Sequence, residues 1–447
     1  MNLASLMKTR GDAGHPVRVG LIGAGKFGSM FLTQVLTTDG MHLVAVADLS
    51  VDRAKAALAN TGWDDDRYAA TTILAARDAG TTCVTDDVMG MIATDGIDVI
   101  VDATGSPEAG VAHVLACCEY GKHVVMVNVE ADAFAGPELA RRARAAGIVY
   151  SLGYGDQPAL VCEMVDWART SGFEVVSAGK GTRYLPRFHQ STPETWYDNF
   201  GLSKEVARAA GMNDRLQNSF VDGTKSAIEM AAIANATGLL PPVNGLRFPP
   251  CGTQDLARIL VPEADGGVLE RSGVVEVISS LERDGRPVVN DLVTGVYVVF
   301  EAKTDYARRC FVEYKWPTDA TGTRTALYKP IHYIGLETGI SVASAALRNE
   351  PTGAPDGFRA DVAAIAKKDI AAGETLDGEG GYCVWGRIMP AAQSVRAGAL
   401  PIGMTHGVRA KASVAQGEML TWADVEIDEN TPAMRTRREM EAGVDRT

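Results

Sequence analysis

Val17-Arg18-Val19-Gly20-Leu21-Ile22 is a short apolar run, and Gly23-Ala24-Gly25-Lys26-Phe27-Gly28 follows it without a break. An apolar run of this length bounded by glycine reads as a buried strand, and the pattern of residues 29–36 reads as the helix after the turn. Working outward, Leu43-Val44-Ala45-Val46-Ala47, Asp98-Val99-Ile100-Val101-Asp102-Ala103 and His123-Val124-Val125-Met126-Val127 have the same character, and Gly147-Ile148-Val149-Tyr150 adds a further run. Helical patterns such as residues 137–146 separate them. Strands alternating with helices give βαβ units, and hence an α/β, doubly wound parallel sheet over residues 1–155.

The spacing G-x-G-x-x-G between a first strand and a first helix has a specific physical use. Gly23 permits the tight turn, Gly25 lets a pyrophosphate approach the backbone, and Gly28 lets helix and strand pack closely. The helix N-terminus favours the phosphate charge, so Lys26 and Phe27 inside the motif join the candidate dinucleotide-binding residues. Asp48 ends the second strand 20 residues after Gly28, where a carboxylate accepts hydrogen bonds from an adenosine ribose and repels the extra phosphate of NADP. Arg53, just behind it, offers that phosphate a cation. The residues lean to NAD and leave NADP open. Thr104 and Gly105 end another strand and are expected to edge the nicotinamide pocket, since ligands sit outside the carboxyl ends of parallel strands.

The chain has 447 residues, with 43 basic and 56 acidic side chains, a net charge of −13. An acidic protein of this kind has no basic footprint for nucleic acid or an anionic membrane. No apolar stretch reaches the length of a membrane span, and the first 20 residues contain no apolar core of a secretory signal. Seven cysteines are scattered without a C-x-x-C pair, which excludes the usual zinc spacings and argues against a disulfide framework. The expected location is the cytoplasm. The expected partners are a small-molecule substrate and further copies of the chain, as a dimer or tetramer.

Beyond residue 155 the pattern changes to an α+β domain expected over residues 156–355. Residues 222–237 read as a helix that Asp222 or Thr224 caps and Gly238 closes. Residues 292–302 and 310–316 are rich in β-branched and aromatic side chains, which predicts an antiparallel hairpin joined by residues 303–309. Three polar clusters stand out. Lys180 and Arg183 lie in Gly179-Lys180-Gly181-Thr182-Arg183-Tyr184, expected as a glycine-flanked loop after a strand over residues 173–178. Asp222-Gly223-Thr224-Lys225 opens the helix, with Glu229 one turn on. Tyr328-Lys329-Pro330-Ile331-His332-Tyr333 precedes a further helix. A lysine partly removed from water suits proton transfer at a hydroxyl or carbonyl, because burial lowers its proton affinity toward neutral pH. The bland reading of Lys225 and Glu229 is an i,i+4 ion pair, and that of His332 is a structural histidine. Glu130 and Asp132, after Asn128, are spaced as an E-x-D pair, a weak invitation to a divalent metal.

A turn-rich linker at residues 351–357 leads to a repeat. Ala366-Lys367-Lys368-Asp369-Ile370-Ala371-Ala372-Gly373-Glu374-Thr375-Leu376 recurs as Ala410-Lys411-Ala412-Ser413-Val414-Ala415-Gln416-Gly417-Glu418-Met419-Leu420. Two such copies imply a small β-rich module over residues 356–447. The charged tail from residue 426 is expected to fray or to pack on a neighbour.

With those motifs quoted, the chain resembles a bacterial family of homoserine dehydrogenase-like oxidoreductases carrying a C-terminal SAF domain, a family that includes the 1-deoxy-D-xylulose 5-phosphate reductoisomerase-like enzymes. The resemblance implies a nicotinamide-dependent redox enzyme, dimeric through its second domain. It implies Lys225 as acid/base and places Lys180 between cofactor and substrate. The leading expectation is therefore hydride transfer between NAD or NADP and a small polyhydroxylated carbonyl compound. Lys225, Lys180, Glu130, Asp222 and His332 are the catalytic candidates, while Arg183, Arg324, Tyr328 and Lys329 are the substrate candidates, the cations as a phosphate clamp. Dehydrogenation of an unphosphorylated sugar acid or homoserine-like alcohol stays open, as does an NADH-sensing binding protein of no catalytic function.

Overall fold

The computed structural model describes residues 2–209 and 212–444, which form two compact units. The first comprises residues 1–160, 333–356 and 432–437. Its sheet is built of β1 (Val17–Ile22), β2 (Met41–Ala47), β3 (Cys83–Thr85), β4 (Val99–Asp102), β5 (His123–Met126) and β6 (Tyr150–Leu152). The strands are all parallel, in the order β3-β2-β1-β4-β5-β6. That order reverses direction between β1 and β4, and the reversal opens a crevice at the carboxyl ends of the strands. β1 is buried along almost its whole length and β4 along all of it, because helices cover both faces of a parallel sheet.

The second unit comprises residues 161–332, 357–431 and 438–447. β7 (Glu174–Thr182), β8 (Val274–Ser279), β9 (Val296–Glu301) and β10 (Arg324–Lys329) form a mixed sheet in the order β10-β9-β7-β8. The Thr224–Thr237 helix is apolar on every side apart from Lys225, Glu229 and a few small polar residues, and all but one of its residues are buried. A helix apolar all round belongs inside a unit and not on its surface. It contacts β7 and β8, and on the C-terminal module β11 (Ala360–Ala366) and β13 (Val384–Pro390). β12 (Thr375–Asp377), β14 (His406–Ala410) and β15 (Val425–Glu426) complete the module.

The repeat copies pair with each other about a local pseudo-twofold. Ile370 and Val414 exchange both backbone hydrogen bonds, at 2.9 and 3.0 Å. Gly373 donates to the Ala410 carbonyl as Gly417 donates to that of Ala366. In each copy the glutamate after the glycine accepts a backbone N–H three residues back, from Ala371 at Glu374 and from Ala415 at Glu418. The shared A-x-G-E pattern is thus a turn closed by its own carboxylate.

Several expectations are corrected. Three domains divided at residues 155 and 355 are expected, and the described residues cluster into two compact units. Residues 333–356 return to the parallel sheet because Val342 and Ala343 of the Gly339–Arg348 helix sit in its core, and the repeat module clusters with the second unit. Residues 310–316 are not a strand. Thr304 caps the Asp305–Glu313 helix by accepting the Ala307 N–H, Phe311 turns inward, and β9 pairs with β10 and β7. Gly179-Lys180-Gly181 is not a loop but the interior of β7. A β-carbon at Gly179 would stand 1.9 Å from the Glu276 carbonyl and one at Gly181 would stand 1.8 Å from that of Leu292, so the glycines mark a close approach of backbones. The helix expected over residues 137–146 begins at Val129, capped by Asn128, whose side chain accepts the Ala131 N–H. The tail does not simply fray: it holds a Pro432–Glu441 helix whose Arg437 is fully buried and donates to the Phe134 carbonyl. Residues 445–447 of that tail lie outside the described residues.

Candidate functional site

The candidate cofactor site of the first unit is the loop between β1 and the Lys26–Val35 helix. Gly23 has φ +91°, a conformation side chains rarely adopt, and a β-carbon there would meet the Ala103 carbonyl at 2.9 Å. A β-carbon at Gly28 would stand 2.1 Å from the Gly23 carbonyl. At Gly25 it would meet nothing within 4 Å. The loop therefore leaves an open cradle at Gly25 in front of a helix N-terminus, which fits a dinucleotide pyrophosphate. Lys26 is exposed at the first helical position, whereas Phe27 is partly buried and packs on the core.

Asp48 closes this loop from below. One carboxylate oxygen accepts the Ala24 N–H at 2.9 Å, and the other accepts the Ser50 N–H at 3.0 Å and the Arg53 guanidinium at 2.5 Å. The carboxylate is buried, and Arg53 above it is 61% exposed. A ribose hydroxyl would share oxygens that already hold the glycine loop, and Arg53 is the exposed group there.

At the ends of β4 and β5, Asp102 accepts the Thr104 backbone and hydroxyl hydrogens on one oxygen and contacts His113 Nδ1 at 2.8 Å with the other. Asn128 donates to the Thr104 hydroxyl and the Ser106 carbonyl. This network fixes Thr104 and Gly105 at the crevice, and Glu130 lies beside Gly105. Asp132 turns the other way, into the core, where the Tyr150 hydroxyl donates to it at 2.7 Å and burial pushes its carboxyl up to about 7. Glu130 and Asp132 thus do not form the pair that their spacing offered to a metal, and no group of three His, Cys, Asp or Glu side chains able to hold a metal occurs among the described residues.

The second unit holds a buried charge cluster around the start of the Thr224–Thr237 helix. Lys180 on β7 forms an ion pair with Glu229, the residue expected as the i,i+4 neighbour of Lys225. Lys180 is 4% and Lys225 5% exposed. Asp222 closes the preceding Asp214–Val221 helix, and its side chain accepts the Thr224 N–H at 2.9 Å. Its other oxygen accepts the Lys367 ammonium at 2.6 Å. Charges this far from water persist only when paired and hydrogen-bonded.

Other expected residues divide between the two ends of the mixed sheet. Lys180 and Lys329 both lie opposite Val296 of β9, on strands either side of it, about 10 Å apart. Arg183 follows directly after β7 and donates to the Asn199 carbonyl. Arg324 is misplaced for a clamp: it lies at the far end of β10, about 17 Å along the strand from Lys329. There Glu301, Asp265 and Asp319 surround it and compensate its charge. Tyr328 lies beside Lys329 and is partly exposed. His332 donates from Nδ1 to the Thr294 carbonyl at 2.6 Å.

Sequence reasoning missed His189, Tyr184 and Lys367. His189 donates from Nδ1 to the Asp222 carbonyl at 2.7 Å, so its Nε2 accepts the Tyr184 hydroxyl at 2.9 Å. His189 stacks on Trp385 and Tyr184 on Phe248. Burial holds the imidazole below its ordinary range, and it pushes the Tyr184 hydroxyl up to about 12. No local pattern announces His189; Tyr184 ends the quoted Gly179–Tyr184 cluster, and Lys367 has its place in the repeat.

Glu276 on β8 gives a pH-dependent prediction. Burial pushes its carboxyl up to about 7, against backbone N–H donors from Val277, Arg247 and Phe248. A folded pKa above the unfolded value means stability that is present below about 4.5 and lost as pH rises through about 7. Glu276→Gln should remove that loss, up to about 3 kcal/mol, in the second unit. Urea midpoints of wild type and variant at pH 5 and pH 8 measure it. An unchanged pH dependence in the variant would count against an uncharged Glu276 at neutral pH.

Residues 23–151 match the family model of the homoserine dehydrogenase NAD-binding domain, and residues 155–338 match that of the oxidoreductase DRL catalytic domain. Among solved structures, the chain is similar to a probable dehydrogenase from Thermotoga maritima, with 14% identity over 75% of this chain and 90% of that one and a TM-score of 0.38. It is also similar to an NAD-binding oxidoreductase from Klebsiella pneumoniae, with 16% identity over 72% and 67% and a TM-score of 0.34. No curated protein matches the chain. Among the described residues, no helix is long and apolar enough to cross a membrane. A Rossmann-like sheet with an open glycine cradle, joined to a region that matches an oxidoreductase catalytic domain, makes this chain an NAD(P)-dependent oxidoreductase.

Proposed function

We propose that the protein moves hydride between NAD or NADP and a small polyhydroxylated carbonyl compound, with 1-deoxy-D-xylulose 5-phosphate, which would first rearrange its carbon skeleton, as the favoured substrate. The observation that carries the reading is the buried cluster of Lys180, Glu229 and Lys225, which lies wholly within the part matching an oxidoreductase catalytic domain. Gly23, Gly25 and Gly28 with the Lys26–Val35 helix would hold the pyrophosphate, Asp48 and Arg53 the adenosine ribose, and Thr104 and Gly105 the edge of the nicotinamide. Bound there, the nicotinamide supplies or accepts the hydride. Lys225 gives the proton to the substrate oxygen on reduction and takes it back on oxidation. Lys180, oriented by Glu229, polarises that oxygen. Glu130 and His332 are further candidates for orienting the substrate, and the chain is proposed to act as a homo-oligomer.

A second reading, dehydrogenation of an unphosphorylated sugar acid or homoserine-like alcohol, is favoured by Arg324. Its three carboxylate neighbours leave only Arg183 and Lys329 of the expected phosphate clamp. A thermal-shift panel separates the readings, because a ligand that binds only the folded state raises the melting temperature by mass action. NAD, NADP and their reduced forms are each combined with 1-deoxy-D-xylulose 5-phosphate, other sugar phosphates, sugar acids and homoserine. The proposal expects an added shift from a sugar phosphate in the presence of one cofactor. A shift only from unphosphorylated compounds supports the second reading, and a shift from cofactor alone supports a sensor.

A further inference from the structure

The two copies of the repeat are alike in backbone and unlike in their lysines. Lys411 is exposed, whereas Lys367, at the same position of the first copy, is 2% exposed at its side chain. Its ammonium donates to Asp222 Oδ2 at 2.6 Å and to the carbonyls of Ser191 and Gly381, each at 2.8 Å. That is the full donor complement of an ammonium. Lys367 lies outside both regions that match a family model, yet it ends on Asp222, two residues before the candidate catalytic helix.

Asp222 is fully buried and fixed on every side. Its second carboxylate oxygen accepts the Thr224 N–H, and its carbonyl accepts His189. Gly223 follows at φ +91°, with the His189 ring 3.2 Å from where a β-carbon would stand. The Thr224 hydroxyl in turn accepts the Gly386 N–H of β13. Lys225 comes next in the chain. A bare carboxylate within one turn of Lys225 would hold it protonated, and a neutralised one would not.

We propose that Lys367 is a positioning residue for Lys225: the repeat module neutralises and fixes Asp222, and so sets both the place and the proton affinity of the acid/base lysine. The charged and titratable groups on the elements packed against this helix are Asp214 and Arg215 on the Asp214–Val221 helix, Glu174 and Lys180 on β7, Glu276 on β8, Asp361 and Lys367 at β11, and Arg387 on β13, with His189 beside Asp222. Of these described residues, Lys367 is the one that forms an ion pair with the Asp222 carboxylate. The inference rests on the role proposed for Lys225, although its main readout does not require turnover.

The test is trace acetylation of the full-length protein with acetic anhydride from pH 6.5 to 10, with Lys225 modification read by mass spectrometry of its peptide. In Lys367→Met the uncompensated carboxylate should hold Lys225 protonated and lower its labelling at pH 8 by about 10-fold, one pH unit of displacement. Lys367→Met combined with Asp222→Asn should return it to within about 2-fold of wild type, and Lys411→Met should leave it unchanged. Asp222→Asn alone, which leaves a bare ammonium, should raise it; this variant decides the matter if Lys367→Met fails to fold. A merely structural role predicts the opposite sign for Lys367→Met, since loosened packing exposes Lys225 and raises its labelling. Labelling at or above wild type in a folded Lys367→Met, or unchanged labelling in Asp222→Asn, overturns the proposal. Wild-type turnover in Lys225→Met would instead overturn the acid/base role and leave the labelling result standing.

Discussion

Replacing Lys225 by Met is expected to lower the rate of hydride transfer by about 10² or more while cofactor affinity changes little. Methionine keeps the length and flexibility of the side chain and removes the proton. Because Lys225 belongs to the second unit and the glycine cradle to the first, the two measurements report on different parts of the chain. A variant missing only buried packing would lose stability and not kcat. Lys180→Met should behave differently, because Glu229 would be left as a buried carboxylate without its cation; breaking a buried pair by removing one partner typically costs about 3–5 kcal/mol. Single-turnover oxidation of the reduced cofactor, NADH or NADPH, with the cofactor and substrate that the thermal-shift panel identifies, is the measurement. A Lys225→Met enzyme with a near wild-type rate would move the acid/base role to Lys180 or His332.

The parallel sheet was legible because its strands are buried on both faces and need no partner to be seen. β1, β2, β4 and β5 are continuous apolar runs, and the glycines between β1 and its helix have a steric reason that is local. The hairpin was misread at residues 310–316, where β-branched and aromatic composition looks the same in a strand and in a helix with one buried side. The cap at Thr304, with Asp305 in the first turn, was the local signal that decides for the helix. Gly179 and Gly181 looked like a loop because their crowding comes from Glu276 and Leu292, about a hundred residues away. The candidate site was legible to the same degree. Lys180, Asp222, Lys225 and Glu229 were each marked by an anomaly in their own segment. Their pairing was not, since Lys180 meets Glu229 only through the packing of β7 on the helix, and Asp222 meets Lys367 only through the docking of the module. Arg324 shows the converse: a cation on a strand offers no hint that three carboxylates converge on it.

Gly25→Val is expected to abolish dinucleotide binding in a chain that still folds. The three glycines of the motif look equivalent in sequence and are not equivalent in the structure. Gly23 is held at positive φ against the Ala103 carbonyl, and Gly28 is pressed on the Gly23 carbonyl, so a side chain at either position breaks the turn itself. Gly25 has φ −72° and ψ −162°, which any residue adopts, and its missing side chain borders open space. Folding therefore does not require glycine at this position; only a ligand close to the backbone does. Valine should cost the ligand-free protein about 1 kcal/mol or less, because Gly25 is the N-cap of the Lys26–Val35 helix and valine caps poorly. It should weaken NADH and NADPH binding by about 100-fold or more, equivalent to about 2.7 kcal/mol. Gly28→Ala supplies the contrast, with loss of stability accompanying any loss of binding. Fluorescence titration with each reduced cofactor, run beside thermal melts of the same preparations, distinguishes the two outcomes. Unchanged affinity in a folded Gly25→Val protein would mean that the open space at this loop is not where the pyrophosphate lies.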